Sequence, residues 1–330
     1  VAGPVENEYA AAREGAALVD LRDRGVLAVA GALRQEFLHG LLSNDVQGLL
    51  PGQGRRAALM DAKGHLLAFM RVLVGQTEVW LEIAGNRTDL VLDRLSFYRV
   101  AAPVRIQARP VEVLGLLGPR AREVLARAGL EVPVLEPEAH VAGAVGEQPV
   151  LVARAGDMPA EGYVLHAESP AAAAAAAALE GAGAVPIGSE TLDTLRIEDG
   201  RPWYGPDVTE DNLLHETGLL REYHSPTKGC YVGQEVIARL EARGGNVSRA
   251  LRGLRLSASA DQRSAVTSEG KEVGRITTAG VSPRLGPIAL AYVHRSRFEP
   301  GTHVEVDGAA AAVVRLPFEV MEHAVGEAKP

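Results

Sequence analysis

Cysteine is nearly missing from this chain: Cys230 is the only one in 330 residues. A disulfide within the chain needs two thiols and an all-cysteine zinc site needs more, so both are excluded, and a lone thiol fits a reducing compartment. Lysine is almost as scarce. Of 34 basic residues only Lys63, Lys228, Lys271 and Lys329 are lysines, which leaves 30 arginines and makes an arginine by itself uninformative. Aromatic residues are 4% of the chain, so its cores must be built from Val, Leu, Ile and Ala. There is no basic excess: 42 acidic residues give a net charge of -8, and a global field for nucleic acid is absent. There is no long apolar run either. Ala171 to Leu179, the longest bland stretch, is too short to span a bilayer. Val1 to Tyr9 carries Glu6 and Glu8 and has no apolar segment of the signal-peptide kind, so a cytoplasmic location is expected. What is present, 47% hydrophobic and 23% charged residues, describes a soluble globular protein of two or three domains.

Val26 to Ala30 reads as a buried strand, and Gly31 is followed by Leu33, Phe37, Leu38, Leu41 and Leu42 at helical spacing, ending in Ser43-Asn44-Asp45. Arg56 to Met60, Leu66 to Val74 and Thr77 to Ile83 read as a meander of strands, with a tight turn at Asp61-Ala62-Lys63-Gly64. Thr88 to Tyr98 has helical periodicity. The strand–glycine–helix pattern then recurs at Val113 to Gly118 with an offset of 87 residues, which predicts a duplicated α+β unit. Pro170 to Leu179 and Ser189 to Ile197 predict two more helices. After a boundary near Arg243-Gly244-Gly245-Asn246 the strands Leu251–Leu256, Val273–Thr278, Ile288–Val293, Val304–Val306 and Ala310–Leu316 follow closely, as in a small barrel or sandwich.

The densest unusual stretch is Lys228-Gly229-Cys230-Tyr231-Val232-Gly233-Gln234-Glu235. A helix follows, with Val236, Ile237 and Leu240 on one face and Glu235 placed to pair with Arg239. Cys230 thus precedes a helix N-terminus and has Lys228 two residues away. Both features favour a thiolate, whereas a lone cysteine is otherwise a small buried hydrophobe. His215 and His224 lie upstream, as candidate bases or as part of a metal set with Cys230, but their spacing matches no standard zinc pattern, so no metal is expected.

The stretch from Lys228 to Arg239 resembles the Lys-Gly-Cys-[Tyr/Phe]-x-Gly-Gln-Glu signature of the YgfZ folate-binding proteins, relatives of the glycine-cleavage T-protein (aminomethyltransferase) that assist iron–sulfur enzymes. The resemblance extends to Gly31 through Val46, to Asp61-Ala62-Lys63-Gly64, to Leu195-Arg196-Ile197-Glu198-Asp199-Gly200, and to Gly274–Thr278, Ser282-Pro283, Ile288–Val293 and Leu316-Pro317-Phe318. It implies an α+β fold: two α+β units with antiparallel sheets and a C-terminal β-barrel around a central folate hole. The domains would be a folate-binding region over 1–246, split near 110 and completed by 190–246, and a barrel over 249–330. It also implies tetrahydrofolate, or a derivative, as cofactor. Glu198 would accept the pterin's paired N–H donors, with Trp203, Tyr204 and Arg239 as further binding residues. Trp203 and Tyr204 either pack on the ligand or anchor their loop.

One departure bears on activity. The T-protein's catalytic aspartate falls near Leu67 or Ala68 here, and neither is an acid; Asp61 is across the turn. Whether the chain is an enzyme is therefore open. The resemblance implies a tetrahydrofolate-binding accessory factor for iron–sulfur cluster assembly or repair, with Cys230 and Lys228 as the reactive pair and iron–sulfur client or assembly proteins as partners. A folate-dependent aminomethyl or methyl transferase and a folate-linked adaptor of tRNA modification are the alternatives.

Overall fold

Nine consecutive buried residues, Leu66–Val74, form the longest strand of the first sheet in the computed structural model, which describes residues 4–84, 86–160 and 162–319. A strand covered on both faces need not alternate apolar with polar residues; its two faces serve different cores. Ala68, Met70, Val72 and Val74 enter a core shared with Leu38, Val91 and Leu95 of the helices Arg34–His39 and Thr88–Tyr98. Leu66 and Phe69 enter a second core, and Leu73 a third that lies between the two sheets. The sheet order is Gly54–Met60, Leu66–Val74, Glu78–Ile83, Gly25–Ala30, Arg105–Arg109, antiparallel throughout.

The second sheet has the order His140–Val145, Gln148–Ala155, Gly162–Glu168, Val111–Leu117, Ala17–Asp20, Val185–Pro186, with only the last pair parallel. The first five positions repeat the first sheet: a three-strand meander, the strand before the glycine, then one added strand. The duplication is therefore visible in topology as well as in the local pattern. Gly31 and Gly118 both take a left-handed backbone, at φ 126° and 107°. A Cβ at either would lie 2.6 Å from a carbonyl oxygen, that of Pro103 or Gly15, so the sharp strand exit needs glycine twice. The added strand differs: in the first sheet it follows the long helix, and in the second it comes from the N-terminal arm.

Six strands close a barrel in the order Arg249–Leu256, Gly286–His294, Lys271–Ser282, Ala265–Ser268, His303–Val306, Ala309–Val314. Along Gly286–His294 the residues Ala289, Ala291 and Val293 point into the barrel, while Ile288, Leu290 and Tyr292 pack with Ile197 of the helix Ser189–Glu198. The end of the expected barrel domain, 320–330, lies outside the described residues. The helix expected to reach Leu42 stops at His39, because Leu42 and Ser43 instead pair with Leu59 and Ala58 at the edge of the first sheet. Among the described residues no helix is long and apolar enough to cross a membrane.

Candidate functional site

Three stretches singled out in the sequence meet at one place. The loop before Cys230 is sewn to Ser43-Asn44: the Ser43 hydroxyl donates to the Tyr223 carbonyl, the Ser225 N–H donates to the Ser43 carbonyl at 3.2 Å, and the Asn44 amide donates to the Glu222 carbonyl at 3.2 Å. Lys228 Nζ donates to the carbonyls of His39 at 2.5 Å, of Leu42, and of Asn44 at 3.4 Å. Its ammonium also lies 4.7 Å from the centre of the Tyr231 ring. Burial lowers the Lys228 pKa to about 8.

On the far side the loop presses on the Asp61–Gly64 turn. Gly233 has φ 85°, and a Cβ there would lie 2.6 Å from the Asp61 carbonyl oxygen. Gly64 has φ 79°, and a Cβ there would lie 2.7 Å from Val236 Cβ. Two glycines thus allow two backbones to touch. Tyr231 and Val232 anchor the loop in different cores, Tyr231 with Met60 and Phe69, Val232 with Leu38 and Leu67. Cys230 is exposed on this braced loop, four positions before the helix Gln234–Ala242. It is therefore not the small buried hydrophobe that a lone cysteine commonly is.

Some sequence expectations need correction. Lys228 is turned to backbone carbonyls and acts as a brace; no hydrogen bond or ion pair joins it to Cys230 among the described residues. Glu235 and Arg239 are both exposed and form no ion pair, because solvent satisfies both charges at little cost. Arg239 is thus exposed, and it does not line the cavities described below. His215 and His224 are held below their ordinary pKa chiefly by burial. Among the described residues no group of three or more His, Cys, Asp or Glu side chains is arranged to hold a metal ion.

Glu198 is fully engaged by the protein. Its carboxylate accepts from Tyr9 at 2.8 Å, from Arg13 at 2.5 Å, from Arg284 at 3.2 Å, and from the Ser282 hydroxyl. It ties the N-terminal helix Pro4–Glu14 to the barrel and has no free lone-pair direction for a pterin edge. Asp61 is equally committed: it accepts the backbone N–H groups of Lys63 at 2.8 Å and His65 at 2.9 Å. Leu67 and Ala68 are buried in the apolar core.

Three cavities that share lining residues in turn form an interrupted passage, and the first of them is bounded by the barrel residues Leu251 and Arg252. At one mouth a 480 Å³ cavity is lined by Arg201, Leu219, Glu222, Arg252, Glu299 and Arg315 among others. It shares Arg201 and Leu219 with a narrow middle section of 20 Å³, about enough for one water. The middle section is lined by Arg24, Arg56, Phe69, Asp157, Trp203, Tyr204 and Tyr223. It shares Tyr204 with a 590 Å³ cavity at the other mouth, bounded by Asp23, Asn86, Arg87 and Asp211. Trp203 and Tyr204 are thus the two expected binding residues that do line the passage. Tyr204 also anchors its loop, since its hydroxyl donates to the Leu66 carbonyl at 3.0 Å. The Trp203 indole N–H is buried with no acceptor, and its ring lies under the guanidinium groups of Arg24 and Arg196 at 5.1 and 5.5 Å.

Sequence reasoning missed the charged layer beside this passage. Glu82 accepts from Arg24 and Arg71 at 2.6 Å each and pairs with His166 Nε2 at 2.7 Å. Glu138 accepts from Arg71 at 2.5 Å and pairs with Arg56 at 3.0 Å, and Glu222 links Arg56 to Arg201. Only the pairing of buried arginines with carboxylates far away in sequence would have revealed it.

The sequence profile of the GCVT N-terminal domain matches residues 1–223, and that of the glycine cleavage T-protein C-terminal barrel domain matches residues 249–320. The chain is 30% identical over 333 residues to an aminomethyltransferase from Streptomyces avermitilis, covering 96% of this chain and 90% of that protein. It is 29% identical over 333 residues to one from Streptomyces coelicolor, with the same coverage. The crystal structure of the glycine cleavage system aminomethyltransferase T from Bartonella henselae superposes with a TM-score of 0.86 at 25% identity, covering 96% of this chain and 89% of that one. By both of its parts, the chain belongs to the glycine cleavage T-protein family.

Proposed function

We propose that this chain binds a tetrahydrofolate in the passage and serves as an accessory factor in the assembly or repair of iron–sulfur proteins, with Cys230 as its working thiol. The observation that carries this reading is the presentation of Cys230. The single thiol of the chain is exposed on a loop held by Lys228, Tyr231, Val232 and Gly233, so it meets a partner at a fixed position. The apolar, buried Leu67 and Ala68 support the same reading, because they offer no carboxylate where the resemblance puts the transferase's acid.

The passage suits a folate chemically at one mouth. The two outer cavities fall in the range of small-ligand sites, roughly 300–1,000 Å³. Among the described residues Arg252 donates only to the carbonyls of Phe298 and Leu251, and with Arg201 and Arg315 it would hold the glutamyl carboxylates. The unpartnered Trp203 N–H borders the narrow section, where a bridging water would link it to a ligand in an adjoining cavity. When bound, tetrahydrofolate supplies a carrier for one-carbon units at its N5 and N10 nitrogens. The protein's part is to orient it and exclude water.

The test uses the fact that there are only two tryptophans, Trp80 and Trp203. Tetrahydrofolate should quench the fluorescence of a Trp80→Phe protein and leave that of Trp203→Phe unchanged. Cys230→Ala should retain this quenching yet fail to restore iron–sulfur enzyme activity in cells lacking the protein. Full restoration by Cys230→Ala would overturn the thiol's role. A folate-dependent transferase is the second reading, favoured by the aminomethyltransferases the chain resembles; steady aminomethyl transfer to tetrahydrofolate by the purified protein would establish it.

A further inference from the structure

Neither the passage nor the thiol explains a cleft between the Asp61–Gly64 turn and the end of the helix Thr88–Tyr98. It has a volume of 270 Å³. Its floor is apolar and buried, made by Leu59, Met60 and Leu67, and the Tyr98 ring borders it. Beyond Tyr98 the surface stays apolar: Phe97 is 72% exposed and Val100 95% exposed, with the Phe97 and Tyr98 rings edge to face at 5.2 Å. An exposed aromatic step beside a concave apolar floor is the make-up of a protein-binding patch.

Charge identifies what it fits. Lys63 and Arg94 rim the cleft, both exposed and, among the described residues, without an ion pair. The one acid on the rim, Asp61, is held by its own turn and by His65. Arg99 is exposed nearby along the chain. On a protein of net charge -8, an unneutralised basic rim around an apolar floor is a local reversal of sign. We propose that this cleft docks a segment of a partner protein that is acidic around a single apolar or aromatic anchor. The anchor fills the floor of the cleft and stacks against Tyr98 and Phe97, while the acidic residues meet Lys63 and Arg94. The same turn touches Gly233, and three residues of chain span at most about 11 Å, so the docked segment lies within reach of Cys230. Docking itself does not rest on the folate or thiol reading.

The experiment measures fluorescence anisotropy with the full Cys230→Ser protein, which separates docking from thiol chemistry. The probes are three short fluorescein-labelled peptides: acidic with a central Phe, the same with its acidic residues changed to Lys, and acidic with the Phe changed to Ser. The acidic Phe peptide should bind about tenfold or more tighter than either control, and the advantage should shrink with added salt. The double charge reversal Lys63→Glu with Arg94→Glu should reverse the preference between acidic and basic peptides. Phe97→Ser with Tyr98→Ser should remove the preference for the Phe anchor. Equal binding of the three peptides, or a preference untouched by the charge reversal, would overturn the proposal. A concentration-dependent dimer abolished by Phe97→Ser would also overturn it, by assigning the face to a second copy of the chain.

Discussion

Glu82 is buried, yet it faces two guanidinium groups and an imidazole, and the balance of those terms sets what its removal does. Taking these four charged or polar groups out of water is costly, and their mutual attraction repays this only while all are present. Glu82→Gln leaves Arg24 and Arg71 without a full counter-charge, and should lower the free energy of unfolding by about 3–5 kcal/mol in urea titrations. Burial works to raise the Glu82 pKa, but Arg71, His166 and Arg24 outweigh it and hold it well below the usual carboxylate range. Asp157 is lowered in the same way by Arg71 and Arg24 against its burial. Glu138 goes the other way, since burial together with the Asp157 charge outweighs its arginines, and it offsets part of the effect. A carboxylate depressed in the folded state gives stability that is complete above its unfolded pKa and is lost as pH falls through the folded value. Urea midpoints should therefore drop as pH falls below about 4.5, the ordinary glutamate value, and the drop should be shallower in Glu82→Gln. Lys228 has the opposite chemistry. With its folded pKa lowered to about 8 by burial, the folded protein holds fewer protons than the unfolded chain between that value and the ordinary 10.5. Its contribution to stability should rise with pH across that window, and Lys228→Met should remove this rise relative to wild type in thermal melts.

At the scale of the element, the loop carrying Cys230 is positioned by contacts that no single helix or strand contains. Gly233→Ala places a Cβ 2.6 Å from the Asp61 oxygen at a residue with φ 85°, so the loop must lift from the turn. Hydrogen exchange should then speed up across 228–242 while the strand Leu66–Val74 keeps its protection, and a disulfide reagent should label Cys230 faster. Unchanged exchange in 228–242 would show that the turn does not hold the loop. Much of this was legible in the sequence and some was not, for physical reasons. Leu66–Val74 and Thr88–Tyr98 are legible with their observed ends, because an apolar run bounded by turns and a helical periodicity are both local signals. The helix Pro4–Glu14 escaped, since its apolar residues are few and its partners, Glu198 and the strand edge, are remote. The charged layer is not legible because arginine is common everywhere in this chain and the pairs Arg24–Glu82, Arg71–Glu138 and His166–Glu82 lie 58, 67 and 84 positions apart. Glu198 was legible as a special residue and its neighbours were not: a motif marks a carboxylate but does not say that Arg13 and Arg284 already face it.

At the scale of the whole molecule, two buried acids, Glu198 and Asp207, fix the barrel to the α+β body, and Asp207 sits at the loop that lines the passage. Asp207 accepts from Thr277 at 2.6 Å and Thr278 at 2.7 Å on the barrel, and pairs with Arg196 on the helix Ser189–Glu198. Its second oxygen also accepts the Trp203 backbone N–H at 3.0 Å, so the same side chain sets the loop that lines the passage. Arg196, itself fully buried, reaches across to Thr278 at 2.8 Å. Asp207→Asn keeps the shape but removes the buried one of the two charges that Arg196 pairs with, leaving only the partly exposed Asp193, at a cost of about 3 kcal/mol located at the junction. The interior of the barrel, Leu254, Val266, Ile276, Ala289 and Val293, is independent of that junction. Local damage between two intact cores should uncouple them. Calorimetry of Asp207→Asn should show two transitions where wild type shows one, and quenching by tetrahydrofolate in the Trp80→Phe background should weaken as the Trp203 loop loses its anchor. A single transition at lower temperature, with quenching unchanged, would mean that the apolar contacts of Ile197 with Leu251, Ile288 and Leu290 hold the two parts together and that Asp207 serves the junction alone.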